Sequence, residues 1–261
     1  MNFIGRFRPA TARASLARLI ALGALAFALL APANAAAKET DVGPSSPSRP
    51  VPKPQLILIH GGSFLFHDPL FRPLTRPWAL EAGFVPHYIN YPLNDLPGAV
   101  AAARLEARKL RELVGINRVY VYGASAGGTL AAILAGEGDV AAAVAKAPVS
   151  DLDTWEWPLG RYGANYYENI AAGPATRMRL SPVNRAEGRP LLVIQGREDD
   201  VVPATMNEEF AAKFGRVHLW LVPGGHTTER VRPWILEGAM RWLAQIAARY
   251  VQSPGEAQPL P

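Results

Sequence analysis

Ser125 lies in Gly123-Ala124-Ser125-Ala126-Gly127, directly after Val119-Tyr120-Val121-Tyr122. The β-branched and aromatic run predicts a strand, and the small residues after it predict a sharp turn into a helix over Ala126 to Ala135. A serine at such a corner is presented as a nucleophile. The turn packs backbone so tightly that side chains at Gly123 and Gly127 would collide, and the helix N-terminus favours negative charge developing beside Ser125.

An exposed serine attacks only when a base takes its proton and a carboxylate orients that base. Of the five histidines, His226 follows a predicted strand through Pro223-Gly224-Gly225 and so falls on a turn at the end of a strand. His218 and His87 lie inside strands, His60 ends one and His67 lies in a loop, so His226 is the candidate base. For the acid, Gly196-Arg197-Glu198-Asp199-Asp200 follows the buried-strand run Leu191 to Gln195. Asp199 is preferred, Asp200 is next, and Asp151 is the outlying candidate. Serine, aspartate and histidine then appear in the chain order used by one large group of hydrolases. The oxyanion formed on attack also needs donors. Backbone N–H groups of Gly61 and Gly62, in His60-Gly61-Gly62-Ser63, and of Ala126 after the nucleophile are the candidates.

These residues need elements that bring them to one edge. Strands are predicted at Gln55 to His60, Phe84 to Asn90, Arg118 to Gly123, Ala141 to Ala147, Leu191 to Gln195 and Val217 to Val222. Helices are predicted at Leu96 to Leu113, Ala126 to Ala135, Ala204 to Phe214 and Glu229 to Ala248. Alternation of this kind implies an α/β fold, a mostly parallel twisted sheet with helices on both faces. Residues 151–190 break the alternation and read as a short aromatic-rich insertion at the carboxyl end of a strand, the end where such sheets bind ligands. Its Trp155, Trp157 and Tyr166, with Tyr162 and Tyr167, either line a substrate pocket or pack against the sheet edge.

Taken together, His60-Gly61-Gly62, Asn90-Tyr91-Pro92-Leu93, Gly123-Ala124-Ser125-Ala126-Gly127, Ser181-Pro182, Gly196-x-x-Asp199-x-x-Val202-Pro203 and Gly225-His226 resemble the α/β-hydrolase superfamily, in particular its carboxylesterase and lipase-type branch. The resemblance spans Gln55 to about Ala248. It implies the α/β-hydrolase fold, cleavage of a carboxylic ester through an acyl-enzyme, no metal and no cofactor, with Asp199 as the triad acid. Ser63 stands where hormone-sensitive-lipase-like members carry a third glycine. An arylformamidase, a polyester or polysaccharide-ester deacylase, and a prolyl-oligopeptidase-like peptidase share this machinery, although the chain length leaves no room for the large propeller of the last. A non-catalytic interaction domain of the same fold is the alternative from another class.

Composition narrows the partners. Arg6, Arg8, Arg13 and Arg18 precede the apolar run Leu19 to Leu30, no acidic residue occurs before Glu39, and Ala33-Asn34-Ala35 supplies small residues for cleavage. Residues 1–35 therefore read as a cleaved export signal, with a periplasmic or secreted destination and no stable membrane insertion after cleavage. Without those four arginines the net charge falls from +5 to +1, and no basic patch interleaved with aromatics remains for nucleic acid. The chain has no cysteine, which excludes a thiol nucleophile or a thiolate metal site. Residues 36–54 read as a Pro/Ser-rich leader, 55–250 as the hydrolase domain and 251–261 as a tail. The expected partner is a small-molecule or polymeric ester.

Overall fold

The computed structural model describes residues 51–185 and 188–252. The export signal at 1–35, nearly all of the leader and the tail from 253 lie outside the described residues. Those described form a six-stranded, all-parallel sheet in the order β2-β1-β3-β4-β5-β6. The strands are β1 (Gln55–Ile59), β2 (Val85–Ile89), β3 (Val119–Ala124), β4 (Ala142–Lys146), β5 (Leu191–Gly196) and β6 (Val217–Val222). The order reverses direction at β1, so the crevice beyond the carboxyl ends of β1 and β3 is the place for a ligand.

Both faces of the sheet are covered, which is why its central strands read as apolar runs rather than alternating ones. Ile57 and Ile59 of β1 pack with α2 (Leu96–Val114), α3 (Ala126–Gly136) and α7 (Ala204–Lys213). Leu56 and Leu58 point the other way, into a core shared with α1 (Phe71–Glu81) and α8 (Pro233–Gln252). The α2 helix starts on Asp95, whose carboxylate accepts the Gly98 N–H at 2.9 Å, with proline in the first turn where its missing N–H costs nothing.

Two elements differ from the expectation. The predicted helices include none between β1 and β2, where Pro73 and Pro77 stand. Pro77 does lie inside α1, and the helix persists because Phe71, Thr75 and Ala79 are buried against the sheet. The last helix was expected from Glu229, yet residues Thr228–Arg230 form a separate 3-10 turn and α8 begins at Pro233. Proline suits a first helical position and disfavours helix in the residue before it, so the break falls there. The insertion between β4 and β5 contains three short helices, α4 (Trp157–Arg161), α5 (Tyr166–Asn169) and α6 (Pro174–Leu180).

Candidate active site

At the end of β3 the chain turns through Ser125 with φ 55° and ψ −118°, then enters α3. A non-glycine residue held there costs about 1–3 kcal/mol, which the surrounding packing must supply. The reason for the flanking glycines is steric. A Cβ on Gly123 would run into the Gly127 carbonyl, and one on Gly127 into the carbonyls of Ile59 and His60. The Ser125 N–H is itself tied down, donating to the Lys146 carbonyl of the neighbouring strand at 2.8 Å.

The loops after β5 and β6 bring the other two groups to this corner. Gly196 lets them approach, because a Cβ there would meet the carbonyls of Gly224 and Gly225. Arg197 N–H donates to the Val222 carbonyl at 2.9 Å and Glu198 N–H to the Gly224 carbonyl at 3.2 Å, so the two loops are laced together. His226 Nε2 lies 2.9 Å from Ser125 Oγ, and its Nδ1 lies 3.0 and 3.1 Å from the two carboxylate oxygens of Asp199.

Asp199 is held on every side. Its Oδ1 accepts the N–H groups of Val201 and Val202, both at 2.9 Å, and its Oδ2 accepts from the Gln195 amide at 3.0 Å. Burial pushes the carboxyl up, but the hydrogen bond and charge of His226 and the N–H groups of Val202 and Val201 outweigh it and hold the group below its ordinary value. The anion is thus kept where it fixes the imidazole with its proton on Nδ1 and Nε2 free to accept from Ser125. Asp200 is exposed at the cavity mouth. Asp151 is occupied by the N–H groups of Asp153 and Thr154 and by Ser181.

The glycine loop after β1 faces the same point. Among the described residues, the N–H groups of Gly61, Gly62 and Ser63 donate to no backbone carbonyl. That of Ala126, first residue of α3, has no partner within its helix by construction. Gly62, with φ 111°, and Ser63 and Phe64, with φ 54° and 61°, turn the loop sharply. Tyr91 braces it from below, its hydroxyl within 3.2 Å of the His60 carbonyl and 3.1 Å of the Gly61 carbonyl. His60 stacks on Tyr91 with ring centroids 4.4 Å apart, and its Nδ1 donates to the Gly61 carbonyl. Burial, above all, lowers the His60 pKa, so the ring serves this scaffold as a neutral group.

Above the serine is a cavity of about 350 Å³ lined by Gly61, Gly62, Ser125 and His226 together with Phe66, Trp157, Arg161 and Tyr162. That is near the small end of ligand pockets. The aromatic insertion divides between the two roles its sequence allowed. Trp157 lines the cavity, and Arg161 lies over its ring at 4.9 Å. Trp155 and Tyr166, expected among the substrate-binding residues, do not line it. Both are buried: the Trp155 indole donates to the Val201 carbonyl at 2.9 Å, and the Tyr166 hydroxyl donates to the Ser63 carbonyl at 3.0 Å. They brace the acid loop and the glycine loop because their polar tips found backbone acceptors on both. Tyr162 takes their place at the wall, 3.2 Å from Ser63 Oγ.

The sequence reading singled out neither Lys146 nor Glu229, which also line the cavity. A lysine ending a strand otherwise buried on both faces was the signal for the first. Nothing local marks the second.

Comparison with known proteins follows this geometry. A family model described as the prolyl oligopeptidase family matches residues 90–218. No curated protein sequence matches the chain. Among solved structures, a truncated form of a carbohydrate esterase from gut microbiota superposes with a TM-score of 0.64 at 16% identity, covering 77% of this chain and 88% of that one. A thermophilic esterase from Thermogutta terrifontis, bound to propionate, gives 0.60 at 21% identity over 82% and 88% of the two chains. An acetyl ester-xyloside bifunctional hydrolase from Caldicellulosiruptor lactoaceticus gives 0.59 at 19% identity over 76% and 82%.

Proposed function

We propose that this chain is a serine hydrolase of the α/β-hydrolase superfamily, cleaving carboxylic esters through an acyl-enzyme. The observation that carries this is the continuous line from Asp199 through both His226 nitrogens to Ser125 Oγ. Ser125 Oγ attacks the ester carbonyl while His226 Nε2 takes its proton, and the N–H groups of Gly61, Gly62 and Ala126 receive the oxyanion. Collapse expels the alcohol, protonated by the same imidazolium. Water, activated by His226, then attacks the acyl-enzyme and releases the acid and free Ser125.

The small cavity favours short acyl groups. On a panel of p-nitrophenyl esters, kcat/KM should be greatest for chains of about two to four carbons and fall steeply beyond, since only surface is left to bind a longer chain. A maximum at long chains would replace the esterase reading with a lipase. The match to the prolyl oligopeptidase family supports a second reading, a peptidase, and cleavage of peptide p-nitroanilides faster than of esters would favour it. For the alcohol half, two of the similar structures bear carbohydrate-ester names, and Asp68, Asp200, Arg161 and Arg230 around the cavity offer donors and acceptors to a hydroxylated group. Acetylated sugars are therefore the natural substrates to try first.

Export belongs to the same proposal. The order of charged, apolar and small residues over 1–35 supports cleavage near Ala36 and a periplasmic or secreted enzyme. N-terminal sequencing of the exported protein should begin close to that residue, and an intact Met1 on the exported product would refute it.

A further inference from the structure

The order of the sheet leaves the distance between Ser125 and His226 unset. Ser125 follows the last residue of β3 and the His226 loop leaves β6, with β4 and β5 between those two strands. Asp199 holds the imidazole through Nδ1 from the β5 side, but nothing in the strand ladder ties the β6 loop to β3. Lys146 supplies such a tie. It is the last residue of β4, paired in register with Ala124, and its carbonyl accepts the Ser125 N–H. Its side chain, 1% exposed, reaches Glu229 with Nζ 2.9 Å from Oε2, and the Glu229 side chain is 7% exposed. Glu229 lies three residues after His226, in the 3-10 turn that closes the histidine loop.

An ammonium at the end of a strand of alanine and valine is costly unless it is paired, and its partner is equally constrained. Beyond the ion pair, neither Lys146 Nζ nor Glu229 Oε2 has a hydrogen-bond partner among the described residues. Other charges do not compete for the pair. Of the other cations near this turn, Arg230 is engaged by Asp68 and Arg232 donates to the Pro223 carbonyl and the Thr228 hydroxyl, while the Tyr122 hydroxyl, fully buried, is kept protonated by burial first and by the charge of Glu229 second.

We propose that Lys146 and Glu229 are positioning residues, a buried strut that sets the reach of His226 Nε2 to Ser125 Oγ. Lys146 is bound through its backbone to the nucleophile and through its side chain to the loop of the base. A change in the length or presence of the strut moves one against the other. Stability and positioning separate here, because a buried ion pair replaced by apolar groups of similar volume often leaves a fold as stable as before.

The test uses the full chain carrying Lys146→Met together with Glu229→Leu. This double variant should melt within a few degrees of the wild type and keep its KM. Its kcat should fall by about 10- to 100-fold, as for a misplacement of about 1 Å, and phosphonylation of Ser125 by an organophosphonate should slow by a similar factor. A folded double variant with wild-type kcat and labelling rate overturns the proposal, as does a loss confined to KM. Should the double variant not fold, Glu229→Asp keeps both charges and draws the carboxylate back by about 1.5 Å. It should lower kcat with KM unchanged, and adding Lys146→Arg, with its longer reach, should restore part of the loss. Unchanged kcat in folded Glu229→Asp also overturns the strut. The proposal rests on the serine-hydrolase reading only for the substrate assay: a wild type that labels at Ser125 but turns over no ester sinks that reading and leaves the labelling comparison intact.

Discussion

Ser125→Ala should lower kcat for an activated ester by about 10⁶ and abolish covalent labelling by an organophosphonate. The loss is that large because, in the proposed mechanism, the hydroxyl oxygen is the atom that forms the acyl-enzyme, and nothing else at the corner can replace it. His226 Nε2 would be left facing a methyl group, with its nearest nucleophile gone. The fold should survive. The serine backbone stays held by the Lys146 carbonyl at one end and by α3 at the other, and alanine bears the same backbone strain that serine already bears. The residual rate should reflect binding and the oxyanion donors alone, since such donors keep working without the nucleophile. Labelling that persists in a folded Ser125→Ala protein would place the nucleophile at another residue.

Asp199→Asn should cost about 10⁴ in kcat while Asp200→Asn costs little. The asymmetry comes from the donors around Asp199. Val201 and Val202 present two N–H groups to Oδ1, so the asparagine carbonyl must take that position, 3.1 Å from His226 Nδ1, and its NH₂ must take the place of Oδ2, 3.0 Å from the same nitrogen. An imidazole facing a donor puts its own proton on Nε2, toward Ser125 Oγ, where a base is needed. The amide also sets two donors, its own and that of Gln195, against each other. Because the carboxylate matters most as the imidazolium forms, the loss should fall in kcat rather than KM, with circular dichroism unchanged. Asp200 is exposed at the cavity mouth without a bond to the imidazole, so a dead Asp200→Asn would mean that the loop after β5 is shifted by one residue in solution.

Whatever depends on neighbours along the chain could be read from the residues alone. The corner at Ser125 was legible because the turn is a local pattern: no side chain at Gly123 fits beside the Gly127 carbonyl four residues on. The central strands were legible because a sheet covered on both faces demands unbroken apolar runs, and their alternation with helices specified parallel pairing. Helix α1 was not, since its two prolines argue against it locally and only burial of Phe71, Thr75 and Ala79 argues for it.

What depends on which faces of distant loops meet emerges only from the folded chain. Asp199 and Asp200 are chemically the same in the sequence, and only the turn that gives one of them the Val201 and Val202 N–H groups also aims it at His226. Of the aromatic insertion, composition told that it was apolar. That Trp157 and Tyr162 would face the cavity while Trp155 and Tyr166 brace the loops behind it follows from where backbone carbonyls happen to stand, on Val201 and Ser63. Lys146 and Glu229 are 83 residues apart in numbering, and neither has a local pattern that points to the other. Their contact exists because β4 ends beside β3 while the turn after His226 folds back over it, an arrangement made by the sheet order and the helices that pack on it.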